Sequence, residues 1–317
     1  MEKLKNLGAT VLRIGVSIAL LAFLFTRIDA VHVLQTIRQV DKFYLFLALA
    51  VNLLIYVACY YRWKMLLNGV GVFPSHRKLI SSFSGGIFFN TFLPSTVGGD
   101  FVRTFDLAQR TQKGHEVAAT VIMDRLSGYA GMMVVTLFGV FAGAQLIGGD
   151  RLVVLSVAGL TLALALIVVV LFNDAIFNKV NAMLGTSDTG RLGRVRRAIQ
   201  RVHEEVYFFR SQKRLVINTL ALSIVVQIVG PVAAYLTSLA LGLKINILCF
   251  LVFLPIISAI TLLPISTGGL GLRDVMTVFF FAKVGVARNA AFALSLIGFA
   301  YLLVYAMVGG MIYVLTL

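Results

Sequence analysis

The chain alternates long apolar runs with short polar interruptions, a spacing suited to lipid rather than water. Apolar runs near 10–28, 43–61, 116–144, 151–172, 214–241 and 289–316 match the roughly 20 residues that carry a helix across about 30 Å of hydrocarbon. They predict about six full transmembrane helices. Two further apolar stretches, about 79–93 and 246–287, are broken by clusters of Pro and Gly and predict broken or re-entrant helical hairpins. The expected fold class is all-α, a polytopic membrane protein forming a single integral membrane domain over 1–317.

Composition strengthens this reading. Hydrophobic residues make up 59% and charged residues 13% of the 317, and mean hydropathy is +0.95, against roughly 45–50% apolar and 25% charged in soluble domains. A net charge of +15 would suit nucleic acid, but the basic residues fall where a membrane protein places them. With a cytoplasmic N-terminus, nineteen of the 28 Lys and Arg lie on the inner side, among them Lys3, Arg62, Lys64, Arg77, Arg103 and nine in the loop 173–214. This asymmetry predicts both termini in the cytoplasm of a cell membrane, such as the bacterial inner membrane, and no nucleic-acid partner. Lys3, Lys5 and Arg13 precede or interrupt the first apolar run without a small-residue cleavage site after it, so that run is read as an uncleaved span. Cys59 and Cys249 lie in apolar segments and the four His are scattered singly, so neither a disulfide framework, a metal site nor a cofactor is expected.

The basic segment 174–213 has its own period. Leu192, Val195, Ile199, Val202, Val206 and Phe209 recur at spacings of three and four, while Arg191, Arg194, Arg196, Arg197 and Arg201 take other faces. Such an amphipathic helix, over 188–212, either lies on the anionic inner leaflet, each arginine adding about 1 kcal/mol, or packs on the protein's own cytoplasmic surface.

The stretch "NTFLPSTVGGDFVR" (90–103) has a second copy, "ITLLPISTGGLGLR" (260–273), identical at six of fourteen positions at an offset of 170; at the same offset "LSGYA" (126–130) meets "LIGFA" (296–300). Two matches in one register indicate an internal repeat, around 79–144 and 246–316. Three expected spans separate the copies, and an odd number of crossings inverts one relative to the other. Inverted repeats with interrupted helices point to a transporter site where the broken segments meet.

Local chemistry agrees. Proline removes a backbone donor and glycine permits close backbone approach, so the helix stops at each motif. Thr96 and Ser266 stand where they would cap helices restarting near Gly98, Gly99, Gly268 and Gly269, whose free N–H groups attract an anion. Arg103 and Arg273, a turn further on, would add charge-assisted bonds to phosphate oxygens. The alternative is tight re-entrant turns with snorkelling arginines. Asp124 and Arg125 sit about 12 Å into the span from Glu116, a depth at which ionisable groups face a partner or a watery cavity. Asp124, Gly128 and Gly131 share a helical face. The second copy has Leu270, Leu294 and Ser295 in place of Asp100, Asp124 and Arg125, so the first copy is expected to carry most of the polar work. Asp124 or Asp100 would hold an arginine until an anionic ligand arrives, or form an internal structural pair. Gln227, ahead of Gly230 and Pro231, reads as a hinge or a kink, and Asn52 with Tyr56 as cavity lining or interhelical bonding.

"LPSTVGGDFVR", "MDRLSG" and "LPISTGGLGLRD" resemble the motifs of the lysylphosphatidylglycerol synthase transmembrane region family of flippase-like membrane proteins. By that resemblance Pro94, Gly98, Gly99, Asp100 and Arg103 match the first motif, although its acidic place is often glutamate. Asp124, Arg125 and Gly128 match the second, and Pro264, Ser266, Gly268, Gly269, Gly271, Arg273 and Asp274 the third. The resemblance implies a part in moving lipids between leaflets. Larger relatives add a soluble aminoacyl-transferase domain, and stand-alone ones are linked to polyprenyl-phosphate glycolipid or hopanoid pathways, whose enzymes are possible partners. The chain ends at Leu317, just after its last apolar run, so synthase activity is not expected.

The function expected is a lipid flippase for an anionic phospholipid or polyprenyl-phosphate-linked lipid, not an enzyme. Its headgroup site would comprise Arg103, Arg125, Arg273, Asp100, Asp124, Gly98, Gly99, Gly268, Gly269, Thr96 and Ser266. A membrane enzyme acting on a lipid phosphate or polyprenyl-linked sugar, using Asp100, Asp106 and Asp124, is the alternative, as is a non-catalytic scaffold of a glycolipid pathway.

Overall fold

The computed structural model describes residues 30–93, 98–142, 207–261, 266 and 269–316, with isolated helical positions at 155, 158, 159, 161, 162, 166, 177, 179, 200 and 204. The elements are α1 (Ala30–Arg38), α2 (Lys42–Gly69), α3 (His76–Phe92), α4 (Gly98–Thr111), α5 (Gly114–Ala142), a 3₁₀ turn (Phe209–Ser211), α6 (Lys213–Ala240), α7 (Ile247–Thr261), α8 (Leu272–Ala282) and α9 (Arg288–Thr316); no strand occurs among the described residues. The chain is an all-helical, multi-pass membrane protein. Helices α2, α5, α6 and α9, of 28 or 29 residues, are each long and apolar enough to cross a membrane. At 1.5 Å per residue each spans about 42 Å, more than the roughly 30 Å of hydrocarbon. They account for four of the expected spans; those at 10–28 and 151–172 lie outside the continuously described residues.

Helices α2 and α6 form the central pair and run antiparallel. At one end the Asp41 amide donates to the Ala240 carbonyl at 3.0 Å; at the other, Gln212 Nε2 donates to the Gly69 carbonyl at 2.8 Å. A Cβ at Gly69 would meet the end of the Leu215 side chain at 2.3 Å, which would have to turn aside. Asp41 starts α2 by accepting the Phe43 amide, a common N-cap arrangement.

Two helical hairpins flank this pair. In α3/α4, Asn90 Oδ1 accepts the Gly99 amide at 3.0 Å near the tip, and Ser82 donates to Asp106 at 2.5 Å further back. The hairpin's open end returns to the C-terminus of α2, where Lys113 Nζ donates to the Gly71 carbonyl at 2.8 Å. In α7/α8, Phe253 stacks on Phe280 at 5.4 Å and Phe250 meets Phe281 at 4.9 Å, within the largest apolar core cluster. Its first helix follows the C-terminus of α6, which lies beside the N-terminus of α2. The hairpins therefore enter the bundle from opposite ends. Helix α3 packs on α9, and α7 packs on α5.

Helix lengths repeat in order: 28, 17, 14 and 29 residues over α2–α5, then 28, 15, 11 and 29 over α6–α9. The order long, short, short, long thus recurs once along the described residues. Of the amphipathic segment 188–212, only 200, 204 and 207–212 are described. There Phe209 is fully buried against Leu66, Ala119, Met123 and Leu126, the packing on the protein's own surface that was one of the two expected arrangements. An aromatic ring beside a pocket between two spans gains more by filling it than by lying on the surface.

Candidate functional site

The tip of the first hairpin is shaped by Gly99. A Cβ there would lie 2.0 Å from the Gly86 carbonyl oxygen and 2.6 Å from the Asn90 nitrogen, so only glycine lets the start of α4 rest on α3. That contact directs Asp100 and Arg103, one turn apart, toward α5. On α5, Asp124 and Arg125 point about 100° apart and reach different partners.

The result is a ladder of alternating charge. Arg62 Nε meets Asp124 Oδ1 at 2.6 Å, Arg103 Nη2 meets Asp124 Oδ2 and Asp100 Oδ1 at 3.0 Å each, and Arg125 Nε meets Asp100 Oδ2 at 2.6 Å. Three guanidinium groups and two carboxylates leave one net positive charge. Arg62, Asp100, Arg103 and Asp124 are only 5–6% exposed, whereas the Arg125 side chain is 34% exposed. Arg62 Nη1 also donates to Ser223 at 2.9 Å. The Arg103 guanidinium lies 4.8 Å from the Trp63 ring centroid, and Trp63 Nε1 donates to Thr120 at 3.1 Å. Every carboxylate oxygen of Asp100 and Asp124 has an arginine partner, which offsets the several kcal/mol lost when each ion leaves water.

The second hairpin is built differently. Arg273 Nη2 meets Asp274 Oδ1 at 3.0 Å, Ser295 Oγ donates to the same oxygen at 2.6 Å, and the Arg273 guanidinium lies 5.0 Å from the Phe299 centroid. Asp274 Oδ2 accepts the Gly271 amide at 3.1 Å and so closes the N-terminus of α8. Ser266 was expected to cap this helix and does not. Gly269 and Gly271, at φ +76° and +77°, prolong the break, and α8 begins only at Leu272. Ser266 is instead buried, and its Oγ lacks a hydrogen-bond partner. Pro94, Thr96, Pro264 and Gly268 lie outside the described residues.

Beside Arg273 a cavity of about 320 Å³ opens among α6, α7, α8 and α9, with Asn52 of α2 on its wall. Gln227, Ser258, Thr261, Thr277 and Ser295 contribute polar groups to it. Gln227 also donates to the Gly128 carbonyl at 3.3 Å, and Gly131 faces the Ser223 backbone, which an added Cβ would approach to 2.8 Å. Tyr56 turns away from this cavity and pairs with Tyr305 at 4.6 Å.

The structure therefore gathers Asp100, Arg103, Asp124 and Arg125 into one cluster with Gly99 at its base, and sets Arg273 apart beside the cavity. Arg62 is the residue that sequence reasoning misplaced. Counted among the inner loop charges, it lies inside α2 and is buried; so is Arg103. A helix continues through Arg62 because Trp63, Met65, Leu66 and Leu67 extend the apolar face beyond it, and that continuation was the available signal.

Comparison with known proteins places the chain. The lysylphosphatidylglycerol synthase TM region family matches residues 10–310, and the chain belongs to that family. It is similar to a UPF0104 membrane protein of Methanothermobacter thermautotrophicus, 25% identical over 315 residues, covering 93% of this chain and 90% of the relative. A UPF0104 membrane protein of Pyrococcus horikoshii is 21% identical, with 90% and 89% covered, and one of Methanocaldococcus jannaschii is 21% identical, with 94% and 91% covered.

Proposed function

We propose that this member of the lysylphosphatidylglycerol synthase TM region family carries anionic lipids between membrane leaflets, the headgroup passing through the protein while the tails stay in lipid. The observation that carries this reading is the ladder, a buried cluster with one net positive charge and a partly exposed end at Arg125, set among helices long enough to span. An incoming phosphate would displace Asp100 from Arg125 and replace one charge-assisted bond by another. The aspartates hold the arginines in place until then.

Two features support a transport cycle. The antiparallel α2/α6 pair and the hairpins entering from opposite ends fit inverted repeats with re-entrant tips, the architecture that lets one half rock against the other. Differential affinity for the headgroup in the two arrangements would drive the exchange. Transport is favoured over catalysis because Asp100, Asp106 and Asp124 are already engaged by arginines, which occupies the oxygens a general base would use. We place the protein in a cell membrane with both termini cytoplasmic and the segment 188–212 beside the anionic inner leaflet, accessible to enzymes of lipid or glycolipid synthesis.

The test is reconstitution into liposomes carrying acyl-labelled phosphatidylglycerol or phosphatidylcholine, with dithionite bleaching of the outer leaflet. The wild-type protein is expected to move phosphatidylglycerol faster, and Arg125→Gln to remove that advantage. Equal rates for wild type and Arg125→Gln, with both folded, would reject the ladder as the headgroup site.

A further inference from the structure

The first hairpin holds a second charged pair that the ladder does not use. Helix α4 carries Asp100, Arg103, Asp106 and Arg110 at spacings of three, three and four, so Asp106 lies about 9 Å along the axis from Asp100, towards the hairpin's open end. Arg110 Nε meets Asp106 Oδ1 at 3.0 Å, with side chains 20% and 15% exposed, and Arg110 Nη2 donates to Ser81 Oγ at 3.4 Å. The pair alone is an ordinary helical one. Its surroundings are not.

Ser82 Oγ lies 2.5 Å from Asp106 Oδ2 and 3.0 Å from the Lys78 carbonyl oxygen, yet a serine hydroxyl has one hydrogen. With Asp106 ionised, that hydrogen goes to the carboxylate and the carbonyl is left short. With a proton on Oδ2, Asp106 donates to Ser82, Ser82 donates to Lys78, and both contacts are full hydrogen bonds without any heavy atom moving. The carboxyl is housed for either charge state.

The supply of cations differs as well. Asp100 meets both Arg103 and Arg125, so it keeps one arginine when the other turns to a ligand. Asp106 meets Arg110 alone among the described residues. The other elements packed here bring uncharged groups to it: Ser82 from α3, where Lys78 a turn earlier is exposed, and from α9 Tyr313, which lies against Gly85 within electrostatic reach of Asp106 and Arg110. Helix α5 meets this turn of α4 through Val117 and Val121, packed with Leu107. Once an anion takes Arg110, Asp106 is a largely buried carboxylate without a cation. Such an ion is costly, and a proton removes the cost.

We propose that Asp106 is a proton-binding site that couples transport to protons: an anionic headgroup entering at Arg110 brings one proton onto Asp106. The step balances. The phosphate replaces the carboxylate on Arg110, a proton from water at the hairpin's open end forms the Asp106 O–H bond, and the site is neutral before and after. Because binding is reciprocal, loss of either guest loosens the other. This inference rests on the reading of the protein as an anionic-lipid transporter.

The first test titrates the detergent-solubilised protein with short-chain phosphatidylglycerol in two buffers of different ionisation enthalpy, so that calorimetry reads binding and proton uptake together. The wild type is expected to take up about one proton per lipid bound, and Asp106→Asn none. The second follows labelled phosphatidylglycerol in proteoliposomes by albumin extraction, with inner and outer pH matched. The wild-type rate should rise as pH falls, by at most about tenfold per pH unit, the limit for one proton, whereas Asp106→Asn, neutral at every pH, should keep one fast rate throughout. Ser82→Ala retains the Asp106–Arg110 pair but removes the acceptor for the proton, and should move the pH profile to lower pH; it decides the matter where Asp106→Asn fails to fold, an unmoved profile counting against the site. Binding without proton uptake, or one pH slope shared by wild type and Asp106→Asn, would overturn the proton site and leave the ladder reading intact. Proton uptake that requires Asp106, with no lipid moved at any pH, would sustain the site and sink the transport reading. A folded wild type that neither binds nor moves the lipid would reject both.

Discussion

The guanidinium of Arg103 stands 4.8 Å from the ring centroid of Trp63, and Trp63 is the single tryptophan of the chain. A cation over an indole face perturbs its excited state as well as attracting it, so the protein's intrinsic tryptophan fluorescence reports on the ladder. Titrating detergent-solubilised protein with phosphatidylglycerol should shift that emission saturably, whereas phosphatidylcholine should not. Arg103→Gln should abolish the response. A saturable shift of equal size in Arg103→Gln would mean that the signal arises from bulk micelle changes.

The ladder also makes a stability prediction. Asp124 is 5% exposed and bridges Arg62 and Arg103, so Asp124→Asn leaves two buried guanidinium groups short of charge and should destabilise by about 3–5 kcal/mol. Asp106 pairs with Arg110 where the two side chains are 15% and 20% exposed, and Asp106→Asn should cost about 1 kcal/mol. Thermal unfolding in detergent would rank them, with the lower midpoint for Asp124→Asn. The reverse order would show that the ladder is solvated to an extent its burial does not suggest.

How much of this was legible in the sequence differs residue by residue. Asp100, Arg103, Asp124 and Arg125 could be singled out because charge deep in apolar runs is expensive and therefore placed for a reason. Which arginine each aspartate holds stayed open, because the pairs join different helices whose approach no local pattern fixes. Arg62 escaped because span length sets only a minimum, and α2 extends to Gly69, eight residues past the expected end at 61. The cavity escaped for a different reason: Asn52, Gln227, Ser258, Arg273 and Ser295 come from five different helices, and no local pattern encodes a meeting of five helices. Ser266 misled because Ser is a good cap in general, whereas here two positive-φ glycines move the helix start and hand the role to Asp274.

Backbone proximity at the first hairpin gives a sharp contrast between two glycines. An added Cβ at Gly99 would lie 2.0 Å from a backbone oxygen, while at Gly114 its nearest neighbour is Ala108 Cβ at 3.8 Å. Gly99→Val should therefore separate α3 from α4, lowering both yield of folded protein and transport of any lipid, since the contact cannot relax by side-chain rotation. Gly114→Ala should stay within about 0.5 kcal/mol of wild type. Size-exclusion profiles of the two variants in detergent provide the comparison; a monodisperse, fully active Gly99→Val would refute the close-approach role.

The last prediction concerns direction in the membrane. Lys113 bonds to Gly71, so the α3/α4 hairpin begins and ends near the C-terminus of α2, whereas the α7/α8 hairpin follows Ala240, whose carbonyl accepts from Asp41 at the opposite end. Gln109 and Lys244 are both exposed and stand at these two ends. With α2 spanning, the two positions face opposite sides of the bilayer. In a background with Cys59→Ala and Cys249→Ala, Gln109→Cys and Lys244→Cys should react with a membrane-impermeant maleimide from opposite sides of sealed, oriented vesicles, Gln109→Cys from the cytoplasmic side if the asymmetry of Lys and Arg sets orientation. Labelling of both from one side would mean that the hairpins share an entrance, and the inverted arrangement on which alternating access depends would have to be abandoned.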